Sequence, residues 1–295
     1  MIVRLDHRTT YRYDHPVGLT PHQLYLYPRE QPWLRVLDFQ IQTRPAVDLR
    51  WICDCFENAV AIADFSGSAP ADQLEIHVTG RLELAEANPF HFLLEPRAAH
   101  YPFNYPQAEK APLSPYLKLS ADHGAHQVLD WFYRTLPHAP DDTVALLTQI
   151  NEAIRQSFTY QVRDEEGIQD PDTTLSLGSG SCRDFTQFFI ALCRQLGLAA
   201  RFVSGYLYEP PGPAGQPAFG NRAHGSMHAW TEVYLPGAGW KGFDPTNGIL
   251  ADEHFIPCAV AHQPSMVNPI QGSFQTHAPT ASNMTVDLQL TPETG

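Results

Sequence analysis

The stretch that decides the fold is Gly178-Ser-Gly-Ser-Cys182-Arg-Asp-Phe-Thr186. Its glycines predict the end of one element, and apolar residues then recur at the spacing of one helix face. This pattern predicts a helix that begins at Cys182 and ends before Gly197, a residue suited to a left-handed cap. In a first helical turn, unpaired N–H groups and the helix dipole stabilise a thiolate, the nucleophilic form of cysteine. The apolar face consists of Phe185, Phe188, Phe189, Leu192 and Leu196.

The composition indicates an ordinary globular protein with acidic charge. The chain has 295 residues, 43% hydrophobic and 17% charged, with a formal net charge of −13. This length is enough for a large core or two domains. The negative charge argues against a nucleic acid or an anionic membrane as the main partner. No glycine-rich nucleotide-binding pattern occurs, so we expect no cofactor.

The location expected from the sequence is cytoplasmic. Charged residues interrupt the first ten positions, which argues against a secretory leader. No stretch approaches the roughly 18 apolar residues of a membrane span. The chain has five cysteines, an odd number and too few for a disulfide framework. We therefore expect reduced thiols.

Changes of pattern divide the chain into four parts. Alternating apolar and polar residues predict an antiparallel β domain over 1–85. Prolines and aromatic residues over 86–118 predict a linker that lies against a surface. Helical and then strand patterns predict a catalytic core over 119–260, and 261–295 is predicted to end in a strand. Core helices are predicted over 122–136, 142–158 and 182–196, core strands over 200–208, 227–235 and 240–244, a surface loop over 209–225 and the last strand over 284–290.

His228 begins a predicted core strand. A period of two places His228, Trp230 and Glu232 on one face, opposite an apolar face that belongs to the core. A histidine, an aromatic residue and a carboxylate are unusual on a plain solvent face, so His228 is a candidate general base. The alternative is a polar edge strand with a chance histidine, since the chain has 14.

Asp244 ends the next strand, directly before Pro245. It is either a turn carboxylate, as Asp-Pro pairs commonly are, or the residue that orients His228. For the two side chains to share a face, their paired register must have an even offset. This requires a hairpin loop with an odd number of residues, or a bulge near 237–242. A regular even loop would turn Asp244 away.

Four motifs in this order resemble the transglutaminase-like superfamily of papain-fold enzymes. They are Gly180-Ser-Cys-Arg-Asp-Phe185, Ala200-Arg-Phe-Val-Ser-Gly-Tyr206, His228-Ala-Trp-Thr-Glu232 and Gly239-Trp-Lys-Gly-Phe-Asp-Pro-Thr-Asn247. The match covers about residues 150–250, and the N-terminal part looks like the β domain of bacterial members. The resemblance implies an α+β chain: an N-terminal antiparallel β domain followed by a papain-like, transglutaminase-like core.

The resemblance also implies thiol acyl transfer on peptide or isopeptide amides through a thioester. Cys182 would be the nucleophile, His228 would move the proton and Asp244 would orient the imidazole. Hydrolysis by a cysteine protease or amidase is the first expectation, because bacterial relatives are often proposed to be such enzymes. Transfer to an amine is the alternative, as is a non-catalytic peptide-binding module. The expected partner is a peptide or protein substrate, and the oligomeric state stays open.

Three aromatic residues are further candidates. Tyr160 matches the place where relatives carry an aromatic near the site and would donate to an oxyanion beside the Cys182 N–H. Trp230 and Tyr206 are candidate walls of a substrate groove. For Tyr160 and Trp230, a core position is about equally expected.

The remaining polar residues near the motifs favour structural roles. Asp184 suits a helix cap, and Glu232 is expected to pair with Arg201 or Lys241 across the sheet. Cys53-Asp-Cys55 has no second ligand pair, so we expect no metal site.

Overall fold

The computed structural model describes residues 1–118, 125, 127–163, 167–210 and 227–293. None of the helices in these ranges combines the length and the apolar character that crossing a membrane requires. The helices are α1 Gln107–Leu117, α2 Val128–Thr135, α3 Thr143–Ser157, α4 Pro171–Leu177 and α5 Cys182–Gln195, with 3₁₀ turns at Pro96–Ala98 and Pro264–Val267. The strands are β1 Ile2–Leu19, β2 His22–Leu24, β3 Leu34–Arg44, β4 Leu49–Cys53, β5 Ala59–Ala63, β6 Ala71–Leu84, β7 Thr159–Tyr160, β8 Ser179–Gly180, β9 Ala200–Leu207, β10 His228–Leu235, β11 Gly239–Asp244, β12 Ile249–Leu250, β13 Phe255–Ala261, β14 Ile270–Gln271, β15 Phe274–Gln275 and β16 Ser282–Pro292.

The N-terminal strands form a sandwich of two antiparallel sheets. One sheet has the order β15-β1-β6-β3, with β16 also paired to β1, and the other has the order β14-β2-β5-β4. Buried residues alternate along β6, as expected for a strand with one face in a core. The apolar residues of both sheets meet in a single buried cluster.

The last strands of the chain return to this sandwich. The predicted C-terminal strand is present as β16, and it pairs with β1 from Val3 opposite Pro292 to Tyr13 opposite Ser282. The short strands β14 and β15 pair with β2 and β1. The sandwich is therefore built from both ends of the sequence.

The core contains a five-stranded antiparallel sheet in the order β12-β11-β10-β9-β13, with α5 across one face. The side chain of Asp142 caps α3 by accepting the N–H of Ala145 at 2.8 Å. Gly197 ends α5 with a φ of +77°, as predicted. The first part of the helix predicted over 122–136 and most of the predicted loop over 209–225 lie outside the described residues.

One end of the core sheet lies against the sandwich. Tyr206, Tyr208, Ile256 and Cys258 belong to the apolar cluster of the sandwich. The hydroxyl of Tyr206 is 3.1 Å from Nδ1 of His7 on β1. The end of β9 and the start of β13 thus contact the sandwich, while Val203, Trp230, Phe255 and Val260 form a separate buried cluster on the sheet.

The connecting segment over 86–118 lies on the core. The hydroxyl of Tyr105 donates to the carbonyl of Tyr234 at 2.9 Å and accepts the N–H of Ala199 at 3.0 Å. The segment also contains α1, which the sequence did not predict because Pro112 and Pro115 lie inside it.

Candidate active site

Cys182 is the first residue of α5, as predicted, and is 7% exposed. Gly178 ends α4 in the left-handed conformation, with a φ of +63°. A Cβ atom at Gly180 would lie 2.9 Å from Cβ of Asp184 on the following helix. The two glycines therefore allow one helix to end and the next to begin within four residues, which brings the Cys182 thiol to a fixed position.

Asp184 holds the start of α5. Its buried carboxylate accepts the N–H of Ser181 at 2.7 Å, which completes a capping box, and the N–H of Gln169 at 2.8 Å. Arg163 donates to the same carboxylate at 2.9 Å. Asp184 is therefore structural, as expected. The role of Arg163 was missed, because no local motif marks it.

Tyr160 lies beside the entrance to α5. The parallel pair β7–β8 places Tyr160 opposite Gly180, two residues before Cys182. Burial raises the pKa of the Tyr160 phenol well above its usual value, and the neighbouring charge of Cys182 raises it further. The phenol therefore remains protonated at neutral pH and is available as a hydrogen-bond donor.

His228 and Asp244 form a fully buried pair. Nε2 of His228 is 2.9 Å from Oδ2 of Asp244, and neither side chain is exposed. In the hairpin that joins β10 to β11, Leu235 pairs with Gly239 and leaves a loop of three residues. The predicted odd loop is confirmed, and it is the reason why the two side chains meet.

The charge of Asp244 controls the protonation of His228. Burial alone would lower the pKa of the imidazole. The charge and hydrogen bond of Asp244 outweigh burial, with a smaller contribution from the Cys182 side chain, so the pKa of His228 is raised. Nδ1 of His228 is buried and has no hydrogen-bond partner among the described residues. The site thus holds an imidazolium close to the Cys182 thiol.

The turn after β11 orients Asp244. Oδ1 accepts the N–H of Thr246 at 2.9 Å, and Oδ2 accepts Nδ2 of Asn247 at 2.7 Å. Neither Thr246 nor Asn247 was predicted from the sequence to have a role. A signal was present, since an aspartate commonly binds the backbone two residues further on.

The assignment of Trp230 and Tyr206 to a substrate groove is wrong. Trp230 is 1% exposed and Tyr206 is 0% exposed, so neither can wall an open groove. Tyr206 packs in the apolar cluster of the sandwich, and Trp230 packs in a separate cluster with Val203, Phe255 and Val260. The ring of Trp230 stacks on that of His228, with centroids 6.2 Å apart and planes at 27°, and thereby supports the imidazole.

The predicted cross-strand pair is present. Nε of Arg201 donates to Oε2 of Glu232 at 2.7 Å, across β9 and β10. The guanidinium of Arg201 also lies 4.2 Å from the ring centroid of Trp240.

Two groups of residues were considered as metal ligands. Cys53 and Cys55 are exposed free thiols. Asp252, Glu253 and His254 have ligand atoms within 4.8 Å of one another. Asp252 already accepts from the N–H and ring of His254, and Glu253 accepts the N–H of Ala87 at 3.1 Å. These contacts explain the acidic cluster as a local hydrogen-bond network.

Comparison with known families agrees with the geometry. Residues 134–245 match the transglutaminase-like superfamily, and residues 3–83 match the bacterial transglutaminase-like N-terminal region. The chain belongs to the transglutaminase-like superfamily. Uncharacterised proteins of Mycobacterium tuberculosis and Mycobacterium bovis are each 27% identical to it over 297 aligned residues, which cover 97% of this chain and 91% of theirs.

A solved structure shares the fold. A protein of Cytophaga hutchinsonii, described as a candidate cysteine protease, aligns with 100% of this chain and 92% of its own at a TM-score of 0.69 and 17% sequence identity. The predicted fold class is confirmed: the chain is α+β, with an N-terminal antiparallel β region and a papain-like, transglutaminase-like core.

Proposed function

We propose that this protein is a cysteine-dependent enzyme that transfers acyl groups from peptide or isopeptide amides, most often to water. The observation that carries the proposal is the buried His228–Asp244 pair beside a cysteine in the first turn of a helix. Burying two charged groups costs free energy. Titratable groups with shifted pKa values are concentrated at functional sites, so this pair supports a catalytic role. The likeness to a candidate cysteine protease supports hydrolysis.

In the proposed reaction, the thiolate of Cys182 attacks the amide carbon and forms a carbon–sulfur bond, while the carbonyl electron pair moves onto oxygen. The oxyanion then collapses, the C–N bond breaks and the imidazolium of His228 gives its proton to the departing amine. Water attacks the thioester, neutral His228 takes the proton of that water, and the thiolate leaves. Asp244 holds the imidazole orientation throughout.

The oxyanion would be stabilised by the backbone N–H of Cys182 and the hydroxyl of Tyr160. The proximity of Tyr160 to Cys182, and the protonated state of its phenol, support this assignment. A Tyr160→Phe variant is expected to lose roughly 10- to 100-fold in kcat, with the KM for the same peptide little changed. An unchanged kcat would remove Tyr160 from the mechanism.

The test of the proposal is a mass-spectrometric screen of peptide and isopeptide libraries for amide cleavage. Cys182→Ala should abolish it, whereas the matched control Cys53→Ala, which removes an exposed thiol, should not. Added methylamine separates the acceptors: a methylamide product indicates transfer to an amine, and a free acid indicates hydrolysis. Cleavage that survives in Cys182→Ala would overturn the mechanism.

A non-catalytic peptide-binding module predicts a different result. Iodoacetamide at mildly acidic pH should modify Cys182 of the enzyme before the other four cysteines, because a cysteine in the first turn of a helix beside an imidazole is the one placed for nucleophilic attack. In a binding module, all five thiols would react slowly and no library member would be cleaved.

We also propose a cytoplasmic location. All five cysteines are free, and Cys53 and Cys55 are exposed. Exposed thiols persist where the cell keeps them reduced. Cell fractionation after thiol blocking tests this, since recovery from an oxidising compartment would contradict it.

A further inference from the structure

A cavity lies between the sandwich, the connecting segment and the core sheet. Its volume is about 530 Å³, within the range of small-molecule sites. Cys182, His228, Asp244 and Tyr160 do not line it. It is therefore separate from the candidate active site. Its lining includes Arg29 and Trp33 from the sandwich side, and Arg201, Trp240, Lys241 and Phe255 from the core sheet.

The cavity is lined by three basic side chains, Arg29, Arg201 and Lys241, and by three carboxylates. One of the carboxylates, Glu232, is already bound to Arg201. Burial lowers the pKa of Arg29 and the charge of Arg201 lowers it further, while the charges of nearby carboxylates raise it. The charges of Arg29 and Arg201 are thus balanced by neighbouring carboxylates.

The other two acids of the lining are Glu86 and Asp252. Glu86 is exposed to solvent, where its charge is screened. Asp252 lies 2.9 Å from His254, whose pKa rises despite burial because it bonds to Asp252. His91 is the remaining titratable residue of the lining. Among the three basic side chains of the lining, Lys241 is the one without a salt bridge or hydrogen bond to a described residue.

Lys241 is the basic residue of the cavity whose charged group is available to a ligand. Its ammonium lies 4.8 Å from the ring centroid of Phe92 and has no ion pair or hydrogen bond with any described residue. Arg29, by contrast, donates to the carbonyls of Phe56 and Glu57 and to Asn58. A half-buried ammonium without an acceptor has capacity for a carboxylate.

The rest of the lining is aromatic. Trp33 and Trp240, which are partly exposed, contribute to the walls, whereas Trp230 and Phe255 in the lining are only 1% and 2% exposed. Aromatic faces favour flat apolar groups, and a few placed charges beside them fix the orientation of a ligand. The combination differs from a phosphate site, which uses helix N-termini or glycine-rich loops and little apolar surface.

We propose that this cavity binds a small aromatic carboxylate, with the carboxylate on Lys241 and Arg201 and the ring against Trp33 and Trp240. Nothing in the proposed acyl-transfer chemistry requires this ligand, so the site is independent of it. Trp230 connects the two places, because it lines the cavity and stacks on His228.

Amine labelling of the unmodified protein provides the first test. The chain has three lysines, so Lys110 and Lys118, which do not line the cavity, are internal references. Saturating benzoate should slow the acetylation of Lys241 by acetic anhydride about fivefold or more and leave the two references unchanged. Benzamide, which has the same shape without the charge, should protect none of them. Equal rates at Lys241 with benzoate, with benzamide and without either would overturn the proposal.

Direct binding provides the second test. Titration calorimetry should show saturable benzoate binding that weakens at least tenfold in Lys241→Met and is unchanged in the matched control Lys110→Met. Phenyl phosphate serves as a further probe, and binding tenfold tighter than benzoate would refute the carboxylate assignment. If Lys241→Met fails to fold, the labelling of the unmodified protein still decides the question.

Discussion

Two buried histidines, one in the sandwich and one in the core, carry opposite charge states. His7 on β1 and His228 on β10 are each 2% exposed. His7 contacts two hydroxyls, Tyr206 at 3.1 Å and Thr9 at 3.0 Å, and burial lowers its pKa to about 4. His228 contacts the carboxylate of Asp244, and its pKa is raised. At equal burial, the neighbour decides whether the imidazole is charged.

The difference separates a structural histidine from a chemical one. His7 is neutral and fastens β1 to Tyr206 of the core sheet, so it joins the two domains. His228 keeps a proton in a dry site beside a thiol, which is an arrangement for proton transfer. Because the two histidines are equally buried, burial alone does not distinguish the structural histidine from the chemical one.

The largest expected effect follows from removing the charge beside His228. Asp244→Asn leaves the side-chain shape but removes the anion that holds the proton and the tautomer. We expect turnover of a cleaved peptide to fall by about 10³- to 10⁴-fold. Steady-state kinetics measure this. Asp252→Asn is the matched control, because Asp252 lies equally close to His254 outside the site. Similar losses of turnover in both variants would show that the charge beside His228 has no special role.

The free energy of unfolding below pH 6.5 tests whether His7 is neutral. Its folded pKa of about 4 is below the usual 6.5, so its contribution is complete above pH 6.5 and is lost as the pH falls towards 4. The loss is on the order of 3 kcal/mol. Urea unfolding of the wild type and of His7→Gln, which cannot titrate, should give curves that converge in acid. Parallel curves between pH 6.5 and 4 would contradict the assignment.

The free energy of unfolding above pH 6.5 tests whether His228 is charged. Its folded pKa is raised, so its contribution to stability is complete below pH 6.5 and is lost as the pH rises towards the folded pKa. The stability advantage of the wild type over Asp244→Asn should therefore shrink between pH 6.5 and 9.5 in urea unfolding. An advantage that stays constant over this range would show that the buried imidazole is neutral.

The smallest expected effect concerns the support of Asp244. Asn247→Ala removes one of the hydrogen bonds to Oδ2, while the N–H of Thr246 still holds Oδ1. A net loss of about 1–1.5 kcal/mol corresponds to roughly tenfold in kcat/KM. Asn268→Ala, outside this network, is the control. A loss as large as that of Asp244→Asn would mean that Asn247 has a further role.

The sequence was sufficient for the parts of the site that local rules control. The spacing after Cys182 predicted α5, because amphipathic helices bury one stripe. The parity of residues between His228 and Asp244 predicted an odd loop, because successive side chains of a strand point to opposite faces. Both predictions follow from the sequence of the core alone and do not depend on the sandwich.

The sequence was insufficient where a second layer decides the environment. Alternation along a strand cannot tell which other elements cover a side chain. Tyr206 is buried in the apolar cluster of the sandwich, and Trp230 is buried beside Val203, Phe255 and Val260. Arg163 reaches Asp184 from 21 positions away, and no local pattern connects them.

The pairing of β16 with β1 has a consequence for synthesis. A ribosome that adds about 5–20 residues per second makes Pro292 roughly 15–60 seconds after Val3. All of α2 to α5 and the core sheet emerge in between. The edge of β1 that pairs with β16 therefore stays unpaired until the end of synthesis. The free N–H and C=O groups of such an edge can form hydrogen bonds with the wrong strand. The domain that begins first along the chain is completed last.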